Sequence, residues 1–382
     1  MVPALNIHTV SAIVPDYWPT EEWRTSTPED QGMNSTLLQE MEGWIQRRTW
    51  GDDVISLLIV HNGYLVYENY FGDPDRINQA NEIHSCTKSV TSALVGIALA
   101  QGLIGSINDY ILDYFPDRTF DNMDERKEAI TIEHLLSMKS GLPWDEASYP
   151  WGHPLNDYSA IVNSSDWLQW MLDRPMQYAP GEEYVYNTGG SHVLSALVSE
   201  VSGMNTSVFA DQYLFTPLGI DNFWWPGDSQ GHAMGGSDLY LIPRYMAKFG
   251  YLYLRGGIWD GQVIVPPSWV ATSTTTNYIF DPINPESIGY AHQWWTYDYL
   301  EAFLARGYLG QYIWVIPSHD LVVVITGNNN NIDEVTPVEH FIIPATPMTP
   351  PPLSLPFILL PIGVGISIVA IIIVVYWKRR PG

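Results

Sequence analysis

Three kinds of apolar pattern divide the chain. Ile55 to Val60 and Tyr64 to Phe71 are apolar-rich runs of strand length on either side of Asn62-Gly63, a dipeptide suited to a two-residue turn, so they predict a β-hairpin. Tyr312 to Ile316 and Leu321 to Thr326 flank Pro317-Ser318-His319-Asp320 and predict a second hairpin near the other end, apolar enough for a sheet covered by helices. Between the hairpins the period becomes helical. Val90 to Ala100 is apolar almost all round, which marks a helix inside a domain, with Gly102 placed to close it. Ile132 to Ser137, Ser165 to Leu172 and Ser191 to Val201 predict further helices, each with a polar residue at its start. Strands, then helices, then strands predict an α+β fold: an antiparallel sheet built from both chain ends, flanked by helices, with a helical insertion between.

The third pattern lies at the C-terminus. Phe357 to Trp377 holds 21 residues without a charge. As a helix it would be about 31 Å long, close to the ~30 Å hydrocarbon core of a bilayer. It closes with Tyr376-Trp377 and Lys378-Arg379-Arg380, as membrane anchors do, and predicts one transmembrane helix over 357–377 with a basic tail at 378–382. Upstream, Pro344, Pro347, Pro350, Pro351, Pro352 and Pro356 make 344–356 a stiff spacer. The remaining boundaries are an N-terminal extension over 1–25 and a catalytic body over 26–343. The three terminal cations favour a cytoplasmic C-terminus and an extracellular body, as a single-pass membrane protein. The first 23 residues carry no Lys or Arg and no apolar leader core, so the competing expectation is a cytosolic, tail-anchored body.

Composition narrows the function classes. With 382 residues, 46% of them hydrophobic, the chain can bury a large core as one domain or two intimate ones. A net charge of -25 repels phosphate backbones and excludes nucleic acid as a partner. The single cysteine, Cys86, can form neither an internal disulfide nor a Cys-rich metal site; it reads as a small buried filler. The ten histidines are scattered, and no metal site is expected. Gly-x-Ser-x-Gly, His-Glu-x-x-His, Gly-x-Gly-x-x-Gly and Gly-Lys-Ser/Thr do not occur.

Ser85-Cys86-Thr87-Lys88 carries the strongest candidate chemistry. Three residues apart at the start of the apolar helix, Ser85 and Lys88 share one face. A serine hydroxyl becomes a nucleophile when a neighbouring base takes its proton, and a lysine can do so only while neutral. Burial favours the neutral amine, and a helix N-terminus acts in the same direction. Only five lysines occur in the chain, and one in the first turn of an apolar helix is costly unless paired or functional. On these residues alone, a catalytic pair and a capping serine beside a snorkelling lysine are equal readings. His84, next to the serine, reads mainly as a loop histidine with a hydrogen-bonding role. The aromatic segment from Trp144 to Trp170 either roofs an apolar pocket, with Trp144 and Tyr149 as lining, or packs a small core of its own.

Taken in order, Ser85-x-x-Lys88, Tyr184-Val185-Tyr186-Asn187-Thr188-Gly189-Gly190 and Arg306-Gly307-Tyr308-Leu309-Gly310-Gln311 make the chain resemble the serine β-lactamase-related hydrolases. That group includes class C β-lactamases, D,D-peptidases, certain esterases and 6-aminohexanoate-dimer hydrolases. The resemblance implies the β-lactamase/transpeptidase-like fold over roughly residues 26 to 330. It makes Ser85 the acylated nucleophile, Lys88 its base partner and Tyr186 the acid that serves the leaving group, its phenol lowered from ~10 by the nearby cation. Asn187, Tyr308 and Gly310 become substrate-binding positions, with Trp144 and Tyr149 beside them; no metal and no cofactor are called for. Two departures matter. The usual Tyr-x-Asn has Thr188 in its third place, and the usual Lys-Thr-Gly is replaced by an uncharged Gly307-Tyr308-Leu309-Gly310. Recognition of a β-lactam carboxylate is thereby weakened, and β-lactamase activity is not expected to be primary. The expected function is a membrane-anchored serine hydrolase cleaving a small ester, amide or peptide through an acyl-enzyme. The rival is a catalytically silent surface sensor or binding module of the same fold.

Overall fold

The computed structural model describes residues 15–347. Eight strands form the main sheet: β1 (Val54–His61), β2 (Tyr64–Tyr70), β3 (Tyr278–Ile279), β4 (Gly289–Tyr290), β5 (Trp295–Tyr297), β6 (Ala302–Gly307), β7 (Gln311–Ile316) and β8 (Leu321–Gly327). Side by side they run β2-β1-β8-β7-β6-β5-β4-β3, every neighbouring pair antiparallel. Strand β1 pairs with β8, Leu58 opposite Val324 and Val60 opposite Val322, so both ends of the body meet as neighbouring strands, second and third from one edge of the sheet. Both expected hairpins form. Asn62 (φ 52) and Gly63 (φ 79) adopt the left-handed conformations of a type I′ turn, which Asn-Gly tolerates and whose twist matches the flanking strands.

Both faces of the sheet are covered, which explains why its central strands are apolar throughout rather than alternating. Leu57, Ile59, Trp314, Val323 and Ile325 point to one side, against Leu38, Met41 and Ile45 of helix α1 (Ser35–Gln46) and against Val338, Ile342 and Ala345. Leu58, Val60, Ile313, Val315, Val322 and Val324 point to the other, into the larger core shared with the helical insertion. In that insertion α2 (Thr87–Ala100) is buried along almost its whole length and is followed by Gly102 at φ 71. Around it lie α3 (Ile132–Leu136), α4 (Trp167–Leu172), α5 (Thr188–Ser202) and α6 (Pro243–Leu254). Thr131, Asp166 and Asn187 cap α3, α4 and α5. The Arg255 guanidinium beyond α6 makes a buried ion pair with Asp320, 2.8 Å at its shorter contact, and so ties the second hairpin to the helical layer.

The ends of the described region pack on the body. Trp23 is buried, the Trp18 ring lies 5.3 Å from that of Trp259, and Ser26 N donates to Leu65 O. The first residues of the proline-rich segment also dock: Ile343–Ala345 forms a short helical turn with Pro344 in its first turn, and Ala345 O accepts from Asn34 N. The transmembrane helix expected over 357–377, the basic tail and the rest of the spacer lie outside the described residues. Among the described residues, no helix is long and apolar enough to cross a membrane.

Helix α2 is the element that the core is packed around, and Leu94 within it is fully buried. Leu94→Ala is expected to lower unfolding stability by about 2–5 kcal/mol through lost burial and the cavity left behind. A chemical denaturation midpoint unchanged from wild type would contradict this packing.

Candidate active site

The buried helix starts from an irregular lead-in. Residues Asn81–Glu82 make a two-residue strand, His84 adopts a positive φ of 47, and His84–Cys86 forms a single tight turn before α2 begins at Thr87. The bend leaves Ser85 half-buried at a cavity while Cys86, fully buried, donates its thiol to Gln311 O at 3.3 Å. The His84 side chain turns to Glu82, Nδ1 lying 2.9 Å from Oε1, the hydrogen-bonding role expected of it.

One turn further on, Lys88 is only 1% exposed. Its Nζ lies 3.0 Å from Ser85 Oγ, 3.0 Å from Thr188 Oγ1 and 2.9 Å from Gly236 O. These partners come from three separate parts of the chain. As an ammonium ion the nitrogen donates to all three. As a neutral amine it keeps two donated hydrogen bonds, to Thr188 and Gly236, and turns its lone pair to the serine proton. Burial pushes Lys88 down to about 8, with Glu146 pulling more weakly the other way. A minority of the amine is therefore neutral near physiological pH, far more than for an ordinary lysine.

Tyr186 stands over the same nitrogen, Nζ 4.7 Å from the ring centroid. Its segment is pinned from behind, where Val185 N donates to Met138 O at 2.9 Å. The expectation that a cation would lower this phenol is overturned: burial raises it well above its ordinary value, and a hydrogen bond with Ser85 offsets only part of that. A buried cation of depressed pKa is a weak counter-charge for a phenolate, so Tyr186 rests as a neutral phenol.

The third motif is a tight hairpin. Strand β6 ends at Gly307, Leu309 (φ 59) and Gly310 (φ 87) turn the chain, and β7 leaves from Gln311. Gly307 is required by a close approach, because a Cβ there would lie 2.4 Å from Ile83 O and 3.3 Å from the His84 side chain. The end of β6 thus runs directly along the segment that carries Ser85.

Ser85, Thr188 and Tyr308 open onto a cavity of about 700 Å³. Tyr149, Trp151 and Tyr158 from the aromatic segment line it as well. Its lining includes one acid, Glu146, and neither Lys nor Arg. Three expected binding residues do not reach it. Asn187 is buried as the cap of α5, its Oδ1 accepting from Gly190 N at 2.7 Å, because a left-over helix-start N–H claims the amide oxygen before any substrate can. Trp144 packs in the core, edge-on to Trp170, and donates Nε1 to Glu146 at 2.8 Å, because its ring fills the space over Gly189. Gly310 is held at the hairpin tip beside Ile332 and Asn329 O. The aromatic segment therefore serves both expected purposes, Trp144 in the core and Tyr149 at the cavity.

The sequence offers Trp151 and Tyr158 only as rings of the aromatic segment that could roof the pocket, and it does not single out Thr188, Glu146, Gly236 and Ser237. Thr188 had a signal, being the residue in the third place of the tyrosine motif. Gly236 and Ser237 had none, since only the tertiary path of their loop brings Gly236 to Lys88 and Ser237 to the cavity.

This fold and motif order match known proteins. A family model described as Beta-lactamase covers residues 49–342, and the chain belongs to that family. It is 26% identical over 313 residues to a protein of Alkalihalophilus pseudofirmus, 72% of this chain and 83% of that one. It is 23% identical over 217 residues to an Escherichia coli K12 protein provisionally named a D-alanyl-D-alanine carboxypeptidase, 51% of this chain and 48% of that one. The chain spans about half the length of that curated relative. Among solved structures, one from Bacillus anthracis, provisionally titled a 6-aminohexanoate-dimer hydrolase, superposes with a TM-score of 0.66 at 21% identity, over 77% of this chain and 79% of that one. The β-lactamase/transpeptidase-like α+β fold is thus established, and the protein is of the serine-hydrolase type.

Asn187→Ala separates a cap from a substrate contact. It is expected to cost about 0.5–2 kcal/mol in denaturant unfolding and to leave KM for a hydrolysed ester near the wild-type value. A raised KM with unchanged stability would return Asn187 to the binding site.

Proposed function

We propose that the protein hydrolyses a small ester or amide through an acyl-enzyme on Ser85. The observation that carries this reading is the fully buried Lys88 amine, 3.0 Å from the serine oxygen and held down to about 8 by desolvation. In acylation the neutral amine takes the Ser85 proton as Oγ attacks the carbonyl carbon. The oxyanion is received by the main-chain N–H groups of Ser85 and Tyr308, donors that do not depend on side-chain identity; one such donor contributes about 3 kcal/mol. Collapse expels the alcohol or amine, which takes the Tyr186 phenol proton, and Tyr186 regains a proton from the Lys88 ammonium. Water then enters, gives its proton to the neutral amine and attacks the acyl carbon; the Lys88 ammonium returns that proton to the departing Ser85 Oγ, releasing the acid and restoring free Ser85 and the neutral amine.

The raised phenol fits a resting proton donor better than a resting base. The substrate class follows from the cavity. A wall of aromatic rings with one carboxylate and no Lys or Arg favours an apolar or cationic acyl group over an anionic one. Short esters and amides of neutral or amine-bearing acids suit it, whereas β-lactams and peptides recognised by a terminal carboxylate do not. Anchoring to a lipid bilayer through 357–377, with the body outside the cell, is part of the same proposal and rests on the apolar run and its basic flank.

A fluorophosphonate probe and p-nitrophenyl esters distinguish this enzyme from a silent binding module. Wild type is expected to be labelled and to turn over, and Ser85→Ala to be unlabelled. No labelling and no turnover by folded wild type would support the sensor.

The pH profile tests the base. Because the amine works only when deprotonated, kcat/KM is expected to rise through about pH 8. Lys88→Met is expected to lose roughly 10²–10⁴-fold. A rate that is flat from pH 6 to 9 would remove Lys88 from the base role.

A further inference from the structure

Behind the catalytic lysine lies a second cluster that the hydrolytic chemistry does not use. His192 sits on α5 one turn beyond Thr188, fully buried, its ring edge-on to Trp167 at 5.3 Å. Asp228 and His232 face it from a closed loop, in which Asp228 N donates to His232 O at 2.9 Å and Gly227 bridges to Ala233. The two oxygens of Asp228 have separate tasks. Oδ1 accepts from Gln230 N at 3.0 Å and His232 N at 2.9 Å, which fixes the carboxylate. Oδ2 is left facing inward, 3.1 Å from His232 Nδ1 and 3.6 Å from His192 Nε2.

The His192 ring points to a missing participant. Neither of its nitrogens has a hydrogen-bond partner, although the side chain is wholly buried. A neutral imidazole always carries one N–H and one lone pair, and burying both unanswered is unfavourable. The 3.6 Å to Asp228 Oδ2 is too long for a hydrogen bond, yet it suits two atoms bound to one metal ion. Ligands about 2.0–2.1 Å from a tetrahedral centre stand about 3.3 Å apart; the 3.6 Å separation is close to that value, and the 3.1 Å one is a hydrogen bond that a shared ion would replace. The three donor atoms all lie within 4.8 Å of one another.

We propose that His192, Asp228 and His232 form a structural site for a divalent cation of the zinc type, bound by two imidazole nitrogens and one carboxylate oxygen. Two borderline-soft nitrogens with a single carboxylate suit Zn²⁺ and are too few oxygens for Ca²⁺ or Mg²⁺. The three protein donors leave the fourth corner of the tetrahedron to an exogenous ligand, the open form of a zinc site. The ion joins α5 to the 228–232 loop. Four residues further on, Gly236 O accepts from Lys88 Nζ, so the ion braces the loop that holds the lysine without touching substrate.

The test uses the full chain made without a histidine tag, stripped with a chelator and loaded with ZnSO₄ or CoCl₂. Wild type is expected to retain one zinc per chain after gel filtration, to melt at a higher temperature with zinc than without, and to give the visible absorption of tetrahedral Co²⁺. His232→Ala and the near-isosteric Asp228→Asn are expected to lose all three responses, while His153→Ala keeps them. Substoichiometric zinc in wild type overturns the site, as does zinc retained equally by His232→Ala and Asp228→Asn. Should a variant fail to fold, the Co²⁺ spectrum of wild type decides alone, an octahedral spectrum or none counting against the proposal.

Discussion

The removal of one amine from water organises this molecule. A lysine in the first turn of an apolar helix is tolerable only if its nitrogen is fully provided with partners and is free to shed its charge. Lys88 meets both conditions, with acceptors drawn from the turn that leads into its helix, from the start of α5 and from the 235–238 loop. The same desolvation that makes the ammonium expensive makes the free base available. Stability and reactivity at this position therefore have one cause, and elements far apart in sequence are held to Lys88 by the same three contacts.

Glycine supplies the second constraint. The strand end at Gly307 and the loop at Gly236 both pass where a side chain would collide, with Ile83 O in the first case and with Thr188 in the second. Small residues let three backbones converge on Ser85, and the large aromatic groups sit one layer out, at the cavity wall. An uncharged third motif is compatible with this geometry, because what β6 brings to the serine is main chain. The absence of a cation there changes the charge of the cavity wall and leaves this backbone approach as it is.

Much of the architecture was legible because it is written locally. Asn62-Gly63, the all-round apolar run after Lys88 and the paired hairpins each state their own structure within one short, continuous stretch of chain. Ser85, Lys88 and Tyr186 were legible through spacing and motif order. What was not legible depends on competition for groups. Asn187 has a good amide for a ligand, but a helix start takes it first; Trp144 has the right ring for a pocket wall, but the space over Gly189 takes it. The phenol of Tyr186 was misjudged for a related reason. Proximity to a cation was visible in the motif, and the extent of burial was not. His192, Asp228 and His232 were passed over because residues 36 and 40 positions away show no metal-ligand rhythm until a loop folds back on α5.

The pairing of β1 with β8 has a consequence for how the protein is made. Beyond its local partner β2, the strand at residues 54–61 finds its other neighbour only when residues 321–327 exist, so during synthesis the first hairpin emerges long before it can join the rest of the sheet. For most of translation the nascent chain presents a sticky apolar ribbon with one unzipped edge, the kind of intermediate that aggregates or recruits a chaperone. Ring closure between such distant segments also makes for slow assembly. A ribosome that stalled anywhere in the helical insertion would release a polypeptide with Ser85 and Lys88 in place and no finished sheet to hold them.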